Sequence, residues 1–425
     1  MTAAAAPARP LSLMAYRVAL ALVAPLARPL LRARAREGKE DPARLGERLG
    51  YAAAARPAGP LVWLHGASVG ESVSLIPLIA GLRAERPDLA FLVTSGTCAA
   101  ANILARRLPR GVIHQYAPVD TPGAVDRFLR HWRPDLGVFA ESELWPNLIL
   151  GAREAGTRLA LVSARMGEKS ARAWRARPSA ARAMLASFDL VLPQDAATAA
   201  RLGELGARIG GRLNLKRVSE PLPCDAAELE RLRAAIGGRP VLLAASTHAP
   251  EEALIAAAAA DLAPDLLTVI APRHPERAGE ILRQLGAAGV AQRSAGARVT
   301  PQTRVYLADT FLELGLFIRL ADLVVMGGGF ARFGGHNPLE AAQLGRGVVS
   351  GPGVANHADV YAEMAGAGAA VIVANEADLA PTLRRLMADP AARQAMGAAA
   401  KAYADRQGEE LDAALALIRP LLPAA

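Results

Sequence analysis

Two successive series of short, unbroken apolar runs, separated by helix-forming stretches, constrain this 425-residue chain more than any other feature. In the first series the runs fall at 61–64, 91–94, 112–114, 136–139, 159–162 and 190–192. The second has runs at 241–245, 266–270, 305–307, 323–326, 348–349 and 371–373. Helix-like stretches such as 75–86 and 124–131 lie between them. A strand covered by helices on both faces is apolar throughout and does not alternate, so each series predicts a parallel sheet in a doubly wound α/β domain. Glu220-Pro221-Leu222-Pro223 is the candidate linker between the series. The expected organisation is an N-terminal membrane-associated segment over 1–36, a Rossmann-like domain over 37–222, a second over 223–396, and a helix over 397–425 packing back towards the first. Tandem domains of this kind place their strand ends around a shared cleft, where such folds bind ligands.

Hydrophobic residues make up 52% of the chain, a fraction that hints at a membrane protein. Only 4% is aromatic, however, and alanine tracts such as 256–260 raise the total, so the body reads as soluble helices and sheets. The first residues differ. Positions 11–31 are mostly apolar but are interrupted by Arg17, Pro25, Arg28 and Pro29. The longest uncharged stretch, 18–27, has ten residues, against the ~20 that span a bilayer. Arg32, Arg34 and Arg36 follow. That pattern fits a helix lying in the interface of an anionic membrane. A secretory signal and a tilted span are the alternatives; no small-residue cleavage site follows.

The net charge of +9 comes almost wholly from arginine, since Lys39, Lys169, Lys216 and Lys401 are the only lysines. Biased codon usage explains such a composition, and so does attraction to anionic lipid or substrate. Nucleic acid is not an expected partner, because no basic run is interleaved with aromatics and no zinc-finger spacing occurs. Cys98 and Cys224 are unpatterned and imply neither a disulfide framework nor a metal site, so a reducing cytoplasm is the default compartment.

The chemistry-bearing residues stand where apolar runs end. After the first run, His65-Gly66-Ala67-Ser68-Val69-Gly70-Glu71 turns into a helix. Glu71 in its first turn is an ionised carboxylate suited to general-base work, but Ser68 and Glu71 also have capping-box spacing. After the fourth, Glu141 and Glu143 in Glu141-Ser142-Glu143-Leu144-Trp145-Pro146-Asn147 either orient a substrate hydroxyl or pair with Arg165. In the second half, Ser246-Thr247-His248 and Arg273-His274 end the first two runs with donors suited to phosphate. The run 323–326 leads into Gly327-Gly328-Gly329 and on to Gly335-His336-Asn337-Pro338-Leu339-Glu340. A glycine-rich strand-to-helix turn, with Asn337 as cap and Pro338 first in the helix, reads as an anion site with Asn337 and Glu340 placed for a ribose. No His, Cys, Asp or Glu cluster has metal-ligand spacing, and neither a metal nor another cofactor is expected.

Together, 65–71, Glu-Ser-Glu-Leu-Trp-Pro-Asn at 141–147, Ser163-Ala164-Arg165, Leu215-Lys216, 246–248, 272–277 and 334–342 resemble the successive motifs of the 3-deoxy-D-manno-octulosonic acid (Kdo) transferases. Gly38-Lys39-Glu40 and 44–50 are also similar to that family. The resemblance implies a glycosyltransferase-B fold, CMP-Kdo as donor and a lipid A precursor as acceptor, in lipopolysaccharide biosynthesis. The interrupted apolar stretch, the arginines after it and a nucleotide donor available in the cytoplasm lead to the cytoplasmic face of the inner membrane as the expected location. By matching position, Glu71 is implied as the general base. Arg273, His274, Asn337 and Glu340 likewise fall on the family's CMP-binding motifs. From their own chemistry and place, Ser246, Thr247, His248, Gly328 and Gly329 are expected to join them as donor contacts, and Glu141, Glu143 and Arg165 to support acceptor or transition state. The sequence departs from the family at Arg217-Val218, where an aromatic-acidic pair is usual, which puts a donor contact by Lys216 in question. Pro250 and the loop 327–333 also differ. Transfer from another nucleotide sugar, or nucleotide binding without catalysis, is the alternative reading.

Overall fold

The computed structural model describes residues 9–141, 144–218, 221–286, 288–331 and 333–424. They form two units: Met1–Ser219 with Gln407–Ala425, and Glu220–Arg406. The first holds six parallel strands: β1 Leu61–His65, β2 Ala90–Ser95, β3 Ile113–Tyr116, β4 Leu136–Ala140, β5 Arg158–Ala164 and β6 Leu190–Pro193. Their order is β3-β2-β1-β4-β5-β6. Alternate residues face opposite sides of a strand. Leu61 and Trp63 of β1 accordingly join one core cluster, and Val62 and Leu64 the other. Trp63 and Trp132 are fully buried. Each satisfies its indole N–H, Trp63 on Thr94 Oγ1 and Trp132 on Gln115 Oε1, both at 2.8 Å.

The second unit carries seven strands: β7 Val241–Thr247, β8 Leu267–Pro272, β9 Val290–Gln292, β10 Val305–Leu307, β11 Leu323–Met326, β12 Val348–Ser350 and β13 Ala370–Ile372. Their order is β13-β12-β11-β7-β8-β10-β9, again parallel. Strand β9 was not among the sequence expectations: three residues after a glycine are too short to show a period. The helix Pro390–Ile418 begins in this unit, where Ala400, Tyr403 and Ala404 join its core. Its last turns belong to the first unit, where Ala414, Leu415 and Ile418 join that core.

At the N-terminus, Leu11–Val23, a 3-10 turn Ala24–Leu26 and Ala27–Arg36 make one helical stretch of 26 residues. Pro25 and Pro29 do not break it, because each sits in the opening turn of its segment, where an N–H is not required. By length and composition this helix is long and apolar enough to cross a membrane, which the uncharged stretch alone did not suggest. One face touches the first unit through Leu13 and Leu31, while Leu11, Leu22 and Leu26 are 84%, 76% and 64% exposed. Arg9 pairs with both carboxylate oxygens of Glu154, and the Tyr16 hydroxyl donates to Asp120 at 3.0 Å.

Candidate active site

Chain order fixes where each sheet opens. In the first unit β1 pairs with both β2 and β4, so connections leave it in opposite directions and a crevice forms at the carboxyl ends of β1 and β4. Glu71 follows β1 and Glu141 follows β4. The turn after β1 needs glycine at 66, since a Cβ there would lie 2.8 Å from the Ser72 nitrogen. Ser68 caps the helix Val69–Ser74, its Oγ accepting from the Glu71 N–H. In return Glu71 Oε2 accepts from the Ala67 N–H at 2.8 Å, and Oε1 from the Ser68 hydroxyl at 2.7 Å. The capping spacing is therefore realised in the structure. A carboxylate oxygen has more than one acceptor position, so these bonds fix the group without exhausting it.

Glu141 is buried and has a left-handed backbone, φ 56°. Its Oε1 lies 2.5 Å from Lys216 Nζ, a partner that sequence spacing did not suggest. Lys216 reaches it from the short turn Leu215–Arg217, anchored by buried Leu213 and Leu215 and opened by the Asn214 side chain. Arg165 is exposed, its backbone N–H 3.5 Å from the Glu141 carbonyl. Glu143 lies outside the described residues. Asn147, at the end of the same motif, donates its side-chain amide to the Asp120 carbonyl at 2.6 Å, and the Asp120 carboxylate accepts the N–H groups of Asn147 and Leu148. Burial raises the Asp120 carboxyl to about 6 despite those bonds. Burial, with the Arg48 charge adding to it, holds fully enclosed His65 at about 4.

In the second unit the reversal lies between β7 and β11. Ser246-Thr247-His248 ends β7 and the glycine-rich loop follows β11. The loop passes so close to β7 that a Cβ on Gly327 would fall 2.4 Å from the Ser246 carbonyl oxygen. Fully buried Glu251 organises this contact. Its Oε2 accepts from the N–H groups of His248 and Gly328, at 3.0 and 2.8 Å. Its Oε1 accepts from those of Phe330 and Ala331, at 2.9 and 3.1 Å. The loop amides expected to await an anion thus already hold one, supplied by the chain. The Gly328 N–H is committed, and Gly329 gives its carbonyl to Gly353 N at 2.9 Å.

Other donors stand around this knot. Thr247 Oγ1 and Arg277 both bond Glu252, another fully buried carboxylate. His248 Nε2 lies 2.8 Å from His336 Nε2. His274, exposed, is 3.3 Å from Glu276, and exposed Arg273 gives its backbone N–H to Thr247. Asn337 Oδ1 accepts from Leu339 N at 3.1 Å, opening the short helix Leu339–Ala342 that carries half-buried Glu340. A cavity of about 500 Å³ adjoins the loop, lined by Gly329, Phe330, Pro352, Asn375 and Glu376, within the size range of small-molecule pockets. Sequence reasoning gave no role to Glu251 or His336. The signal for Glu251 was an acid in the first turn after a strand end; for His336 there was only its place in the loop.

The profile of the family described as 3-Deoxy-D-manno-octulosonic-acid transferase (kdotransferase) matches residues 43–217. The 3-deoxy-D-manno-octulosonic acid transferase of Bordetella pertussis is 36% identical over 374 residues, covering 85% of this chain and 87% of its own. The enzyme of the same name from Rickettsia felis is 35% identical over 334 residues, covering 77% and 71%. Among solved structures, a glycosyltransferase from Rickettsia africae covers 86% of this chain and 99% of its own with a TM-score of 0.53. At 10% identity that likeness speaks for the fold alone.

Proposed function

The chain belongs to the 3-deoxy-D-manno-octulosonic acid transferase family, and we propose that it moves Kdo from CMP-Kdo to a hydroxyl of a lipid A precursor with inversion at the anomeric carbon. It is a glycosyltransferase of the glycosyltransferase-B fold acting in lipopolysaccharide biosynthesis. The observation that carries the residue assignment is the meeting of motif and topology. Glu71 and Glu141 stand at the β1/β4 reversal, and Ser246, Thr247, His248 and the glycine-rich loop stand at the β7/β11 reversal.

In this reading Glu71 takes the proton from the acceptor hydroxyl, whose oxygen attacks the anomeric carbon of Kdo. The bond from that carbon to the phosphate oxygen breaks, and its electron pair leaves with CMP. Ser68 and Ala67 hold the base in one orientation. Glu141, held by Lys216, and Glu143 and Arg165 support acceptor or transition state. The second unit takes the donor through Ser246, Thr247, His248, Arg273, His274, Gly328, Gly329, Asn337 and Glu340. With the Gly328 N–H already spent on Glu251, the phosphate is met chiefly by side chains, Arg273 foremost, and the loop supplies shape. In the same reading the enzyme sits on anionic lipid at the cytoplasmic face of the inner membrane, which the exposed apolar face of the N-terminal helix and its arginines support.

The test is a transfer assay with purified full-length protein, CMP-Kdo and a tetra-acylated lipid A precursor, with products weighed by mass spectrometry. Acceptor mass rising by whole Kdo units with equal release of CMP supports the reading. Unchanged acceptor alongside turnover of a different nucleotide sugar overturns it.

A further inference from the structure

His248 and His336 meet in an unusual way. Their Nε2 atoms are 2.8 Å apart, their ring centroids 5.1 Å apart, and their planes differ by 12°. Nearly coplanar rings meeting at one nitrogen each are edge to edge, so one Nε2 carries hydrogen and the other offers its lone pair. Phe333 stacks over His248 with centroids 4.0 Å apart, closing a face of this buried ring, whereas His336 is half-exposed. The titratable and charged groups facing the pair are the Arg273 guanidinium and the His274 ring after β8, and the His357 ring from the turn Ala355–His357. The carboxylates facing His248 are Glu251 and Glu252, from the helix Glu251–Ala259. Glu251 already accepts four backbone N–H groups, and Glu252 is bonded by Thr247 and Arg277. Burial holds both rings below the ordinary imidazole range, His336 at about 4; the Arg273 charge adds to it, and for His248 the Glu251 carboxylate opposes it. The pair is thus neutral near pH 7, at a strand-end edge that carries the Arg273 guanidinium.

We propose that the His248–His336 pair takes up one proton from water when the donor's phosphate binds beside it, and that His336 then donates a hydrogen bond through Nδ1 to that phosphate as CMP departs. This rests on the reading of the second unit as the CMP-Kdo site. An anion brought next to an imidazole favours its charged form; one hydrogen already lies between the two Nε2 atoms, so the proton taken up goes to the one unprotonated Nδ1, and the resulting charge is stabilised across the Nε2–H···Nε2 bond. During transfer the phosphate of CMP-Kdo, a singly charged diester, becomes the doubly charged monoester of CMP. The imidazolium therefore acts more strongly on the departing group than on the bound donor, which is the condition for lowering a barrier. The proton stays on the pair, while the electron pair of the broken bond leaves on CMP.

The experiment is long-range ¹H–¹⁵N histidine spectroscopy on full-length labelled protein in detergent at pH 7, without and with CMP, using His248→Gln and His336→Asn to assign the two rings among seven histidines. The expected result is a pair of neutral rings without CMP and one imidazolium with it. Kinetics give a second readout. The kcat of the parent should fall as pH rises through the bound pair's pKa. His336→Asn should lose that dependence and about tenfold or more in kcat, with a smaller change in donor KM. A merely structural histidine would shift thermal midpoint or KM and leave the pH profile in place. CMP bound with both rings neutral overturns the proposal and leaves the donor reading standing. CMP that perturbs no residue of the second unit overturns both. The parent spectra decide even where a variant fails to fold.

Discussion

Replacing Glu251 by glutamine tests whether the chain's own carboxylate builds the glycine-rich loop. The change keeps size and shape and alters which atoms can accept. In the parent, Oε2 takes the N–H groups of His248 and Gly328, and Oε1 those of Phe330 and Ala331. A glutamine amide presents one oxygen and one NH₂, so whichever way it is turned, two backbone N–H groups face another donor. Glu251 is fully buried, so water does not replace the lost acceptor. An unsatisfied buried donor costs about 1–3 kcal/mol, so two cost about 2–6, a large share of the ~5–15 kcal/mol that keeps a domain folded. Urea unfolding followed at several wavelengths measures the loss. Hydrogen exchange at 328, 330 and 331 localises it, since these amides should exchange far faster while β7 and β8 remain protected. CMP affinity should fall as well, because the loop that lines the cavity beside Phe330 loses its tether. Stability within ~0.5 kcal/mol of the parent, with those amides still protected, would refute the reasoning.

Glu71→Gln should cost ~10²–10⁴-fold in transfer with nearly unchanged CMP binding, whereas Ser68→Ala should cost about 1 kcal/mol of stability and keep most of the activity; an active but less stable Glu71→Gln would make the carboxylate only a cap. Lys216→Met should destabilise by about 1–2 kcal/mol, the exposed half of the lysine limiting the loss, and Glu141→Gln added to it should recover part of that loss, a coupling read from a double-mutant cycle. Stability should fall as pH drops from 6.5 towards 4. His65, His114 and His336 are held at about 4, so the unfolded chain binds three protons there that the folded one refuses. Asp120, raised from 3.8 to about 6, works the other way over the lower part of that window and is outnumbered, so a urea midpoint that rises on acidification would contradict this account. Deleting residues 1–36 should give a more soluble enzyme that still uses detergent-dispersed acceptor and is slower on acceptor in vesicles; full-length protein wholly in the soluble fraction at low salt would remove the anchor.

Twelve of the thirteen strands were legible because a buried parallel strand writes an unbroken apolar run, and their glycine-marked ends showed where polar residues would gather. Partners distant in sequence were not legible. Nothing local in Leu215-Lys216-Arg217 says that the lysine reaches a carboxylate at position 141, because that depends on how two segments 75 positions apart in sequence are brought together by the sheet. The four bonds of Glu251 were hidden likewise, since three of them run to the loop after β11. The glycines at 327–329 predict a close approach of backbone to an anion, and the structure shows Gly328 donating to the Glu251 carboxylate. Their spacing could not say whether the anion was a ligand or the chain's own side chain, since both ask the same backbone conformation of the loop. The Ser68–Glu71 spacing carried the same ambiguity, and the structure shows that capping and a fixed carboxylate are one arrangement.

Backbone strain joins the two sheets in a common logic. Among the described residues, five non-glycine positions have a left-handed φ, and three of them are Glu141, Ser163 and Ser246. These stand at the ends of β4, β5 and β7, and the latter two fall where the register shifts, between Val162 and Ala164 and between Ala245 and Thr247. Such a conformation costs on the order of 1–3 kcal/mol unless the residue is glycine, so a chain shaped only for stability would place glycine there. An extra residue at a strand end re-aims the side chains that follow, and here those are Ala164-Arg165 in one unit and Thr247-His248 in the other. Glycine would relieve the strain but would also loosen the turn, and the bonds from Thr247 to Glu252 and from His248 to Glu251 and His336 depend on its direction. Three of the five strained positions therefore lie where a fixed side-chain direction matters more than the stability it costs, in keeping with the proposed roles of Glu141, Arg165, Thr247 and His248.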